Sequence, residues 1–314
     1  MLSTFKALAD PTRLRLLAIL ARGEFTVQEL TSIVDMGQSR VSRHLKILTE
    51  AGLLSVKRQG TWAYYRLDGS NQFFADIRPL VESQLNQDTL ATSDRERLLA
   101  VLENRRSKSL DFFDRHARQW DKLVRDSLPT AAYQELLLAS LPDMQIALEV
   151  GVGTGNLLEG LRSRAELVVG VDHSPVMLEQ ARQRIMHSGL NGIELRLGEM
   201  RHLPVSDNEV QWAVLNMVLH HAALPQQVFC ELARVLSPGG GITLADLHRH
   251  EHEWVRDVMA DQWLGFERSE VEGWLLSAGF ELISFQIVSG APSEHEVILV
   301  SAVKKHVSAH GAKF

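Results

Sequence analysis

The sequence predicts a two-domain α/β protein, in which a small domain of short helices and a hairpin precedes a larger sheet with crossover helices. Charge supports this division. Residues 1–70 contain ten Lys/Arg against six Asp/Glu, whereas the rest of the chain contains 23 against 33. From about residue 107 onward, helical patterns alternate with five short runs rich in Val, Ile and Leu, which predict strands at Ile146–Val150, Leu167–Val171, Ile193–Leu197, Ala213–Met217 and Ile242–Leu247. Such alternation is typical of a mainly parallel sheet.

Composition narrows the class of protein. The chain has 314 residues, of which 45% are hydrophobic and 23% charged, as in an ordinary globular protein. No basic leader and no apolar run of membrane-spanning length is present, so neither a secretory signal nor a transmembrane helix is expected. Cys230 is the single cysteine, which excludes an intrachain disulfide and a cysteine-rich zinc site. We therefore expect a cytoplasmic protein.

Three helices are predicted within the first fifty residues. Asp10 and Pro11 supply a cap and a preset first turn for the first of them. Thr26 leads a second helix, Val27–Val34. After a tight turn, the third helix runs over Gln38–Glu50. The close succession of the last two predicts a helix-turn-helix.

The third helix has one apolar and one polar face. Val41, Leu45 and Leu48 are spaced to face the core. Arginine and glutamine on the opposite face can pair with base edges, while serine and lysine can hold phosphates. The candidate DNA-contacting residues of this helix are Gln38, Ser39, Arg40, Ser42, Arg43 and Lys46.

Residues 54–67 predict a hairpin, with β-prone arms on either side of a Gln-Gly turn. Lys57 and Arg58 are expected at its tip, where they would contact phosphates or the minor groove. A small helical bundle with merely solvated basic residues is the alternative for any single helix. The ordered set of helices and basic hairpin favours a winged helix-turn-helix over residues 1–70.

This region resembles the ArsR/SmtB family of winged-helix repressors through ALADPTRLRLLAIL, VSRHLKILTEAGLL and KRQGTWAYYRL. The resemblance implies a homodimer that reads a two-fold symmetric double-stranded DNA operator. It places the first helix and the helix after the wing at the dimer interface. Residues 71–106 are accordingly predicted to form a helical dimerisation or linker segment.

Two positions depart from that family. Gly37 stands where a Ser or Asn cap is usual, a change that costs only a few tenths of a kcal/mol. Metal-sensing members carry Cys-x-Cys where this chain has Thr26-Val27-Gln28. Without thiols there, soft-metal sensing through that site is not expected.

The second domain opens with a glycine-rich turn. Glu149 precedes Gly151, Gly153 and Gly155 where a strand turns into a helix, and glycine lets the backbone lie close to a nucleoside. The spacing G-x-G-x-G differs from the G-x-G-x-x-G of dinucleotide folds. Asp172 ends the next strand, where a carboxylate can accept both hydroxyls of a ribose. A helix cap is its alternative role, and both roles can hold together.

Two further motifs follow, namely Gly198-Glu199 before Leu203-Pro204, and a turn at Pro238-Gly239-Gly240. Together with the glycine-rich turn and Asp172, they resemble class I methyltransferases of the UbiE type over about 107–303. The resemblance implies a Rossmann-like sheet, predicted over residues 107–305, and S-adenosylmethionine (SAM) as cofactor, released as S-adenosylhomocysteine. A flexible tail is expected at 306–314. The cofactor-binding residues that the resemblance implies are Phe113, Trp120, Glu149, Gly151, Gly153, Gly155, Asp172, Glu199, Met200 and Asn216. Phe113 and Trp120, seven apart on a predicted helix, are alternatively core residues.

Histidines follow the fourth and fifth strands of this domain. His220, His221 and His250 are candidates for a general base, because neutral histidine can take a proton from an acceptor hydroxyl or amine. Ordering a loop is the alternative for each. His248, His250 and His252 alternate along the chain, a spacing that does not converge on one helix face, so no metal is predicted.

From end to end, the chain resembles fusions of an ArsR-type regulator with a methyltransferase. We therefore expect a transcriptional regulator fused to an enzyme that methylates a small-molecule acceptor. The alternative is a non-catalytic repressor whose second domain senses SAM or S-adenosylhomocysteine. Arsenite is not an expected acceptor, because the enzymes that methylate arsenite use several cysteines and this chain has one. The ten excess acidic residues of the larger domain disfavour a nucleic-acid acceptor.

Overall fold

A computed structural model describes residues 1–68, 71–88, 92–127, 130–289 and 295–305. The chain divides into two compact units, Met1–Arg106 and Ser107–Phe314. The predicted tail at 306–314 lies outside the described residues. Among the helices within these ranges, none has both the length and the apolar character needed to cross a membrane.

The N-terminal unit combines helices with a three-stranded sheet. Its elements in chain order are α1 (Leu2–Leu8), α2 (Pro11–Leu20), β1 (Phe25–Thr26), α3 (Val27–Val34), α4 (Gln38–Glu50), β2 (Leu54–Gln59), β3 (Trp62–Leu67), α5 (Gln72–Asp88) and the first part of α6 (Thr92–His116). β3 pairs antiparallel with both β1 and β2. The predicted winged helix-turn-helix is confirmed. We call its two helices, α3 and α4, the reading motif, and both have the predicted bounds.

Local hydrogen bonds fix where these helices begin. The Asp10 side chain accepts the backbone N–H of Arg13 and thereby caps α2. Thr26 and Glu29 form a reciprocal capping box at the start of α3. Gly37 precedes α4 without a side-chain cap, as the sequence predicts. Short-range sequence signals therefore set the geometry of the reading motif.

The two faces of α4 are as predicted. Val41, Leu45 and Leu48 are completely buried. The opposite face is open to solvent, and burying the apolar side fixes which residues it presents. Exposed there are Gln38, Ser39, Arg40, Arg43 and Lys46, with Ser42 half-buried.

The structure corrects the placement of one wing residue. The hairpin turns at Gly60 and Thr61, and Lys57 pairs with Tyr64 inside the ladder rather than lying at the tip. Successive side chains of a strand point to opposite faces. Arg58 is therefore exposed, whereas Lys57 is only 6% exposed. Of the two predicted wing contacts, only Arg58 is accessible to DNA.

Buried ion pairs attach α6 to the rest of the N-terminal unit. The Arg105 guanidinium donates to both Glu29 carboxylate oxygens at 2.8 Å and to the Glu24 carbonyl at 3.1 Å. Arg15 makes a similar two-point contact with Asp94, whose side chain is fully buried. Because Glu29 also caps α3, the Arg105 contact reaches the reading motif itself.

Replacing Arg105 with alanine is expected to destabilise the N-terminal unit by about 3 kcal/mol, because Glu29 would keep a half-buried charge without its partner. The neighbouring Arg106 pairs with Glu103 at a more exposed position, where such pairs contribute less than about 1 kcal/mol. Arg106→Ala is therefore the matched control. The free energy of unfolding in denaturant is measured for both variants. Equal losses of stability would contradict the conclusion that the Arg105–Glu29 pair stabilises the N-terminal unit.

The C-terminal unit is built around a seven-stranded sheet. After the end of α6, its elements are α7 (Trp120–Ser127), α8 (Thr130–Ala139), β4 (Met144–Val150), α9 (Leu158–Arg162), β5 (Ala165–Asp172), α10 (Pro175–Ser188), β6 (Ile193–Leu197), β7 (Val210–Asn216), a 3₁₀ turn (Leu219–His221), α11 (Pro225–Val235), β8 (Leu236–Leu247), α12 (Trp254–Val258), α13 (Arg268–Ser277), β9 (Phe280–Val288) and β10 (Val297–Lys304).

The strand order in this sheet is β6-β5-β4-β7-β8-β10-β9. The first five strands are parallel, and β10 runs antiparallel between β8 and β9. The order reverses between β4 and β7, so the carboxyl ends of these strands border a crevice. The predicted Rossmann-like sheet is confirmed, with two further strands that the sequence reading did not identify.

The segment before the sheet differs from prediction. α6 ends at His116 and α7 begins at Trp120, so Phe113 and Trp120 do not share one helix. Their rings nevertheless meet edge to face, with centroids 5.0 Å apart. The turn between the helices brings the two rings together, where seven positions along one straight helix would hold them about 10 Å apart.

Candidate functional site

The glycine turn after β4 adopts a backbone that other residues rarely tolerate. Gly151, Gly153 and Gly155 all have positive φ, at 73°, 53° and 81°. A β-carbon on Gly151 would lie 2.3 Å from a methyl carbon of Val218, and one on Gly155 would lie 2.7 Å from Leu158. The three glycines therefore allow both the turn and its close packing.

Asp172 lies at the carboxyl end of β5 and fixes this turn. One carboxylate oxygen accepts the backbone N–H of Gly153 at 2.8 Å, and the other accepts that of Ser174 at 2.9 Å. Ser174, not Asp172, caps α10 by accepting the N–H of Met177. The cap alternative for Asp172 is thus not what the structure shows. Since a carboxylate can accept about four hydrogen bonds, Asp172 keeps acceptor capacity for a ligand.

A cleft of about 840 Å³, open to solvent on one side, lies against the ends of β4, β5 and β7. We call it the cofactor cavity. Predicted site residues that line it are Phe113, Trp120, Glu149, Gly151, Gly153, Asp172, Met200, Asn216 and His221. Gly155 and Glu199 are not among its lining residues. Gly155 packs under the turn, and Glu199 forms an isolated bridge with His202.

Two residues that line this cavity, Glu149 and Asn216, each carry a buried side-chain oxygen that lacks a hydrogen-bond partner in the described ranges. Glu149 is only 2% exposed, and one of its carboxylate oxygens has no hydrogen-bond partner in the described part of the chain. The side-chain oxygen of Asn216 likewise has no hydrogen-bond partner among the described residues. Burial raises the pKa of Glu149 well above its ordinary value, and the charge of Asp172 adds to this. A ligand that brings a positively charged hydrogen-bond donor would satisfy both oxygens.

Aromatic side chains that contact one another line part of the cavity. Phe113 contacts both Trp120 and the ring of His221, with ring centroids 5.0 and 4.8 Å apart. The start of α7 is tied to the glycine turn, because Asp121 accepts hydrogen bonds from Thr154 at 2.5 Å and Asn156 at 2.9 Å. Sequence reasoning missed this tie, since Asp121 carries no local sign of partners more than thirty residues away.

His220 is part of a buried charge network, and it is not placed as a neutral general base. Its Nδ1 lies 2.7 Å from Asp246, and its Nε2 lies 3.6 Å from Asp261. Burial lowers the pKa of His220, but the two carboxylates outweigh it and raise the pKa to about 9. The side chain is therefore charged near pH 7, which corrects the expectation that it accepts a proton there.

His221 has the opposite character. Burial lowers its pKa well below the ordinary value, and the charge of His220 lowers it further. Nδ1 lies 3.3 Å from the carbonyl oxygen of Ala260, to which it can donate. Nε2 has no hydrogen-bond partner among the described residues, and the ring lines the cofactor cavity. Of the three predicted histidines, His221 is the one placed as a neutral acceptor.

His250 is not brought together with the other two at the cavity. Its ring contacts those of His252 and His295, with centroids 5.3 and 4.7 Å away. Burial lowers the pKa of His250 to about 3, and the charges of His295 and His252 act in the same direction. Its side chain does not line the cofactor cavity, so a direct role on a bound acceptor has no support from geometry.

One group of side chains has a spacing compatible with metal ligands. Donor atoms of His220, His221 and Asp261 lie within 4.8 Å of one another, and all three residues are buried. His220 already uses its other ring nitrogen on Asp246. The sequence-based expectation of no metal stays a prediction.

Comparison with known proteins assigns each region. Residues 10–56 match the family described as bacterial regulatory protein, arsR family, and residues 148–244 match the one described as methyltransferase domain. The arsenic resistance transcriptional regulator ArsR1 of Pseudomonas putida is 52% identical over 64 residues, 20% of this chain and 50% of that protein. The arsenite methyltransferase of Halobacterium salinarum is 40% identical over 80 residues, 26% of this chain. The chain spans 20% of the length of that methyltransferase.

Solved structures agree on the fold of the larger unit. A methyltransferase in complex with the Trm112 activator of Haloferax volcanii is 21% identical with a TM-score of 0.53, covering 62% of this chain and 98% of its own. A SAM-dependent methyltransferase of Thermotoga maritima is 22% identical with a TM-score of 0.52, covering 63% of this chain and 100% of its own. Residues 10–56 are therefore similar to the helix-turn-helix of arsR-family regulators and residues 148–244 to a methyltransferase domain, as the sequence predicts.

Proposed function

We propose that this chain is a transcriptional regulator fused to a SAM-dependent methyltransferase that acts on a small molecule. The observation that carries the proposal is the cofactor cavity, which sets the oxygens of Glu149, Asp172 and Asn216 around the glycine turn. When bound, SAM supplies a methyl group already activated by a positively charged sulfur, so the protein's task is to bind, orient and exclude water.

The chain offers matching groups for each part of that cofactor. The unsatisfied oxygens of Glu149 and Asn216 suit the ammonium of the methionine moiety. The remaining lone pairs of Asp172 suit the ribose hydroxyls. Met200 lines the cavity beyond Asp172 and would contact the adenine. Glu199, which does not line the cavity, would reach the adenine amino group only after a side-chain movement.

We propose that His221, which lines the cofactor cavity, takes up the proton that the hydroxyl or amine of the methylated molecule releases. Its Nε2 is buried, neutral near pH 7 and without a partner in the described ranges. Arsenite does not fit this site. The chain's one cysteine, Cys230, is exposed and lines no part of the cofactor cavity, so the thiolates that would hold arsenic are missing.

A labelling experiment tests the enzyme proposal against the sensor alternative. The intact protein is incubated with methyl-labelled SAM and a protein-free fraction of small cellular metabolites. We expect label to appear in a small molecule, with S-adenosylhomocysteine formed in equal amount. Binding of SAM that shifts DNA affinity without any label transfer would instead favour the non-catalytic sensor.

For the N-terminal unit, we propose binding of a two-fold symmetric DNA operator by a homodimer. The exposed face of α4 and Arg58 of the wing supply the DNA contacts. Apolar side chains exposed on α1 and α5 support the dimer, namely Leu2, Phe5 and Leu80 at 67%, 52% and 71% exposure. A role on DNA fits the cytoplasmic location expected from the sequence.

Arg43→Ala is expected to weaken specific DNA binding about tenfold or more, because a base-contacting arginine contributes about 1–3 kcal/mol. A symmetric site is first selected from random duplexes, and affinities are then measured at fixed salt. Arg95→Ala removes the same charge from an exposed position outside α4 and serves as the control. Unchanged specific affinity in Arg43→Ala would contradict the assignment of α4 as the recognition helix.

A further inference from the structure

A second cavity, also open to solvent and with about 380 Å³ of space when its mouth is included, adjoins the cofactor cavity. The two cavities share Trp120, Val124 and Met217 in their walls. We call the second one the acceptor cavity. Its other lining residues are His220, Leu247, Trp254, Val255, Met259, Asp261 and His295.

Most of the acceptor cavity is apolar. Val255 and Met259 are 2% and 7% exposed and form a small core cluster against which Trp120 packs. Trp254 adds a second indole to the wall. Two tryptophans and aliphatic side chains in the wall favour a ligand with flat, apolar faces, because burying apolar surface against such side chains is favourable.

The polar end of the acceptor cavity is formed by His220 and Asp261. Asp261 lies 3.6 Å from His220 and 3.9 Å from His221. Both distances exceed that of a direct hydrogen bond, so the carboxylate keeps acceptor capacity for a ligand. Asp261 is 5% exposed and is held at this end by backbone hydrogen bonds of the following residues to the His220 carbonyl.

The charges at this end select against an anion. The imidazolium of His220 is offset by two carboxylates, Asp246 behind it and Asp261 beside it. Arg256 is a nearby cation, but it does not line the cavity, and its guanidinium donates to the Gln262 carbonyl. A carboxylate or phosphate entering the cavity would lose water among apolar walls and meet the like charge of Asp261.

We propose that the acceptor cavity binds a compact aromatic molecule without negative charge, whose hydroxyl or amino group donates a hydrogen bond to Asp261. The inference rests on the proposed function and names its substrate class. In the transfer, a lone pair of that oxygen or nitrogen forms the bond to the methyl carbon. The electrons of the broken carbon–sulfur bond stay on sulfur, and the acceptor's proton passes to the Asp261 carboxylate or to Nε2 of His221.

Neutral and anionic probes test the substrate class by binding alone. Intact protein saturated with S-adenosylhomocysteine is titrated with 1-naphthol, 1-naphthylamine and 1-naphthoate. Calorimetry is the readout, with tryptophan fluorescence as a second one because Trp120 and Trp254 line the cavity. We expect the naphthol and the naphthylamine to bind at least tenfold more tightly than the naphthoate.

A filling variant locates the site. Met259→Trp should weaken 1-naphthol binding at least tenfold while leaving S-adenosylhomocysteine binding unchanged. Val258→Trp places the same side chain one residue earlier, at a position that is 47% exposed and outside the cavity, and should leave both affinities unchanged. Asp261→Asn should weaken naphthylamine binding about tenfold and lower methyl transfer to it, because it replaces the charged acceptor of the proposed hydrogen bond with a neutral one. Unchanged binding and transfer in this variant would overturn the proposed contact with Asp261.

The outcomes separate the two proposals. If S-adenosylhomocysteine does not bind the wild-type protein, the proposed function itself fails. If it binds but the anionic 1-naphthoate binds as well as the neutral probes, or no probe binds, the substrate class is overturned. If Met259→Trp binds 1-naphthol as tightly as wild type, the acceptor cavity is not the binding site. Binding of S-adenosylhomocysteine to the variant shows that it is folded.

Discussion

Replacing Asp246 with asparagine is expected to destabilise the C-terminal unit by about 3–5 kcal/mol, the usual cost of leaving a buried charge without its partner. Asp246 is completely buried and accepts from His220 at 2.7 Å and from the backbone N–H groups of Leu219 and Leu247 at 2.8 Å. Asparagine has similar size but no charge and only one acceptor oxygen. Denaturant unfolding of the full chain, followed by tryptophan fluorescence, measures the loss.

The same network predicts how stability depends on pH. The folded-state pKa of His220 is about 9, above its ordinary value of 6.5. Its contribution, on the order of 3 kcal/mol, is therefore fully present below pH 6.5 and lost as pH rises through about 9. Wild-type stability should fall across this window, and Asp246→Asn should show a flatter profile.

Asp207→Asn is the control for the Asp246 variant, since Asp207 is an exposed partner of Arg234 and its removal should cost less than about 1 kcal/mol. An Asp246→Asn protein as stable as wild type, with an unchanged pH profile, would show that His220 is not held charged in the folded state.

Glu149→Gln is expected to weaken SAM binding by about 10- to 100-fold, because hydrogen bonds to charged groups contribute about 1.5–3 kcal/mol. The same change should stabilise the ligand-free protein at neutral pH. Burial raises the pKa of Glu149, so this carboxyl destabilises the fold increasingly as pH rises above its ordinary range. Glutamine keeps the shape without a charge to bury.

Calorimetry with SAM and thermal unfolding without ligand measure these opposite effects. Glu159→Gln makes the same change at an exposed position in α9, close along the chain, and should alter neither. If Glu149→Gln binds SAM as tightly as wild type, Glu149 does not hold the cofactor. A loss of binding together with a loss of stability would instead indicate a purely structural role.

Local signals in the sequence were sufficient for the features that depend on neighbours along the chain. Apolar runs located the five parallel strands, and Thr26 and Gly37 marked the helices of the reading motif. The acids at strand ends, Glu149 and Asp172, meet at one edge of the sheet because parallel strands share direction. β9 and β10 were missed, since the first alternates in burial and the second is a continuous apolar run without a motif.

The charge network could not be predicted, because it depends on contacts between distant parts of the chain. His220 meets Asp246 across 26 positions and Asp261 across a loop. A histidine's pKa follows from such neighbours rather than from its own position. Lys57 illustrates a different limit: its basic character was evident, but its side of the strand depended on where the hairpin turned. Register, not composition, decided its burial.

The central claim is that the larger unit binds SAM in the cavity between Glu149, Asp172 and Asn216. Titration calorimetry of the intact chain with SAM and S-adenosylhomocysteine, alongside Asp172→Ala, tests it most directly. We expect both ligands to bind once per chain and the variant to bind each at least tenfold more weakly. Absence of binding to the intact chain at millimolar ligand, or equal affinity in Asp172→Ala, would contradict the account.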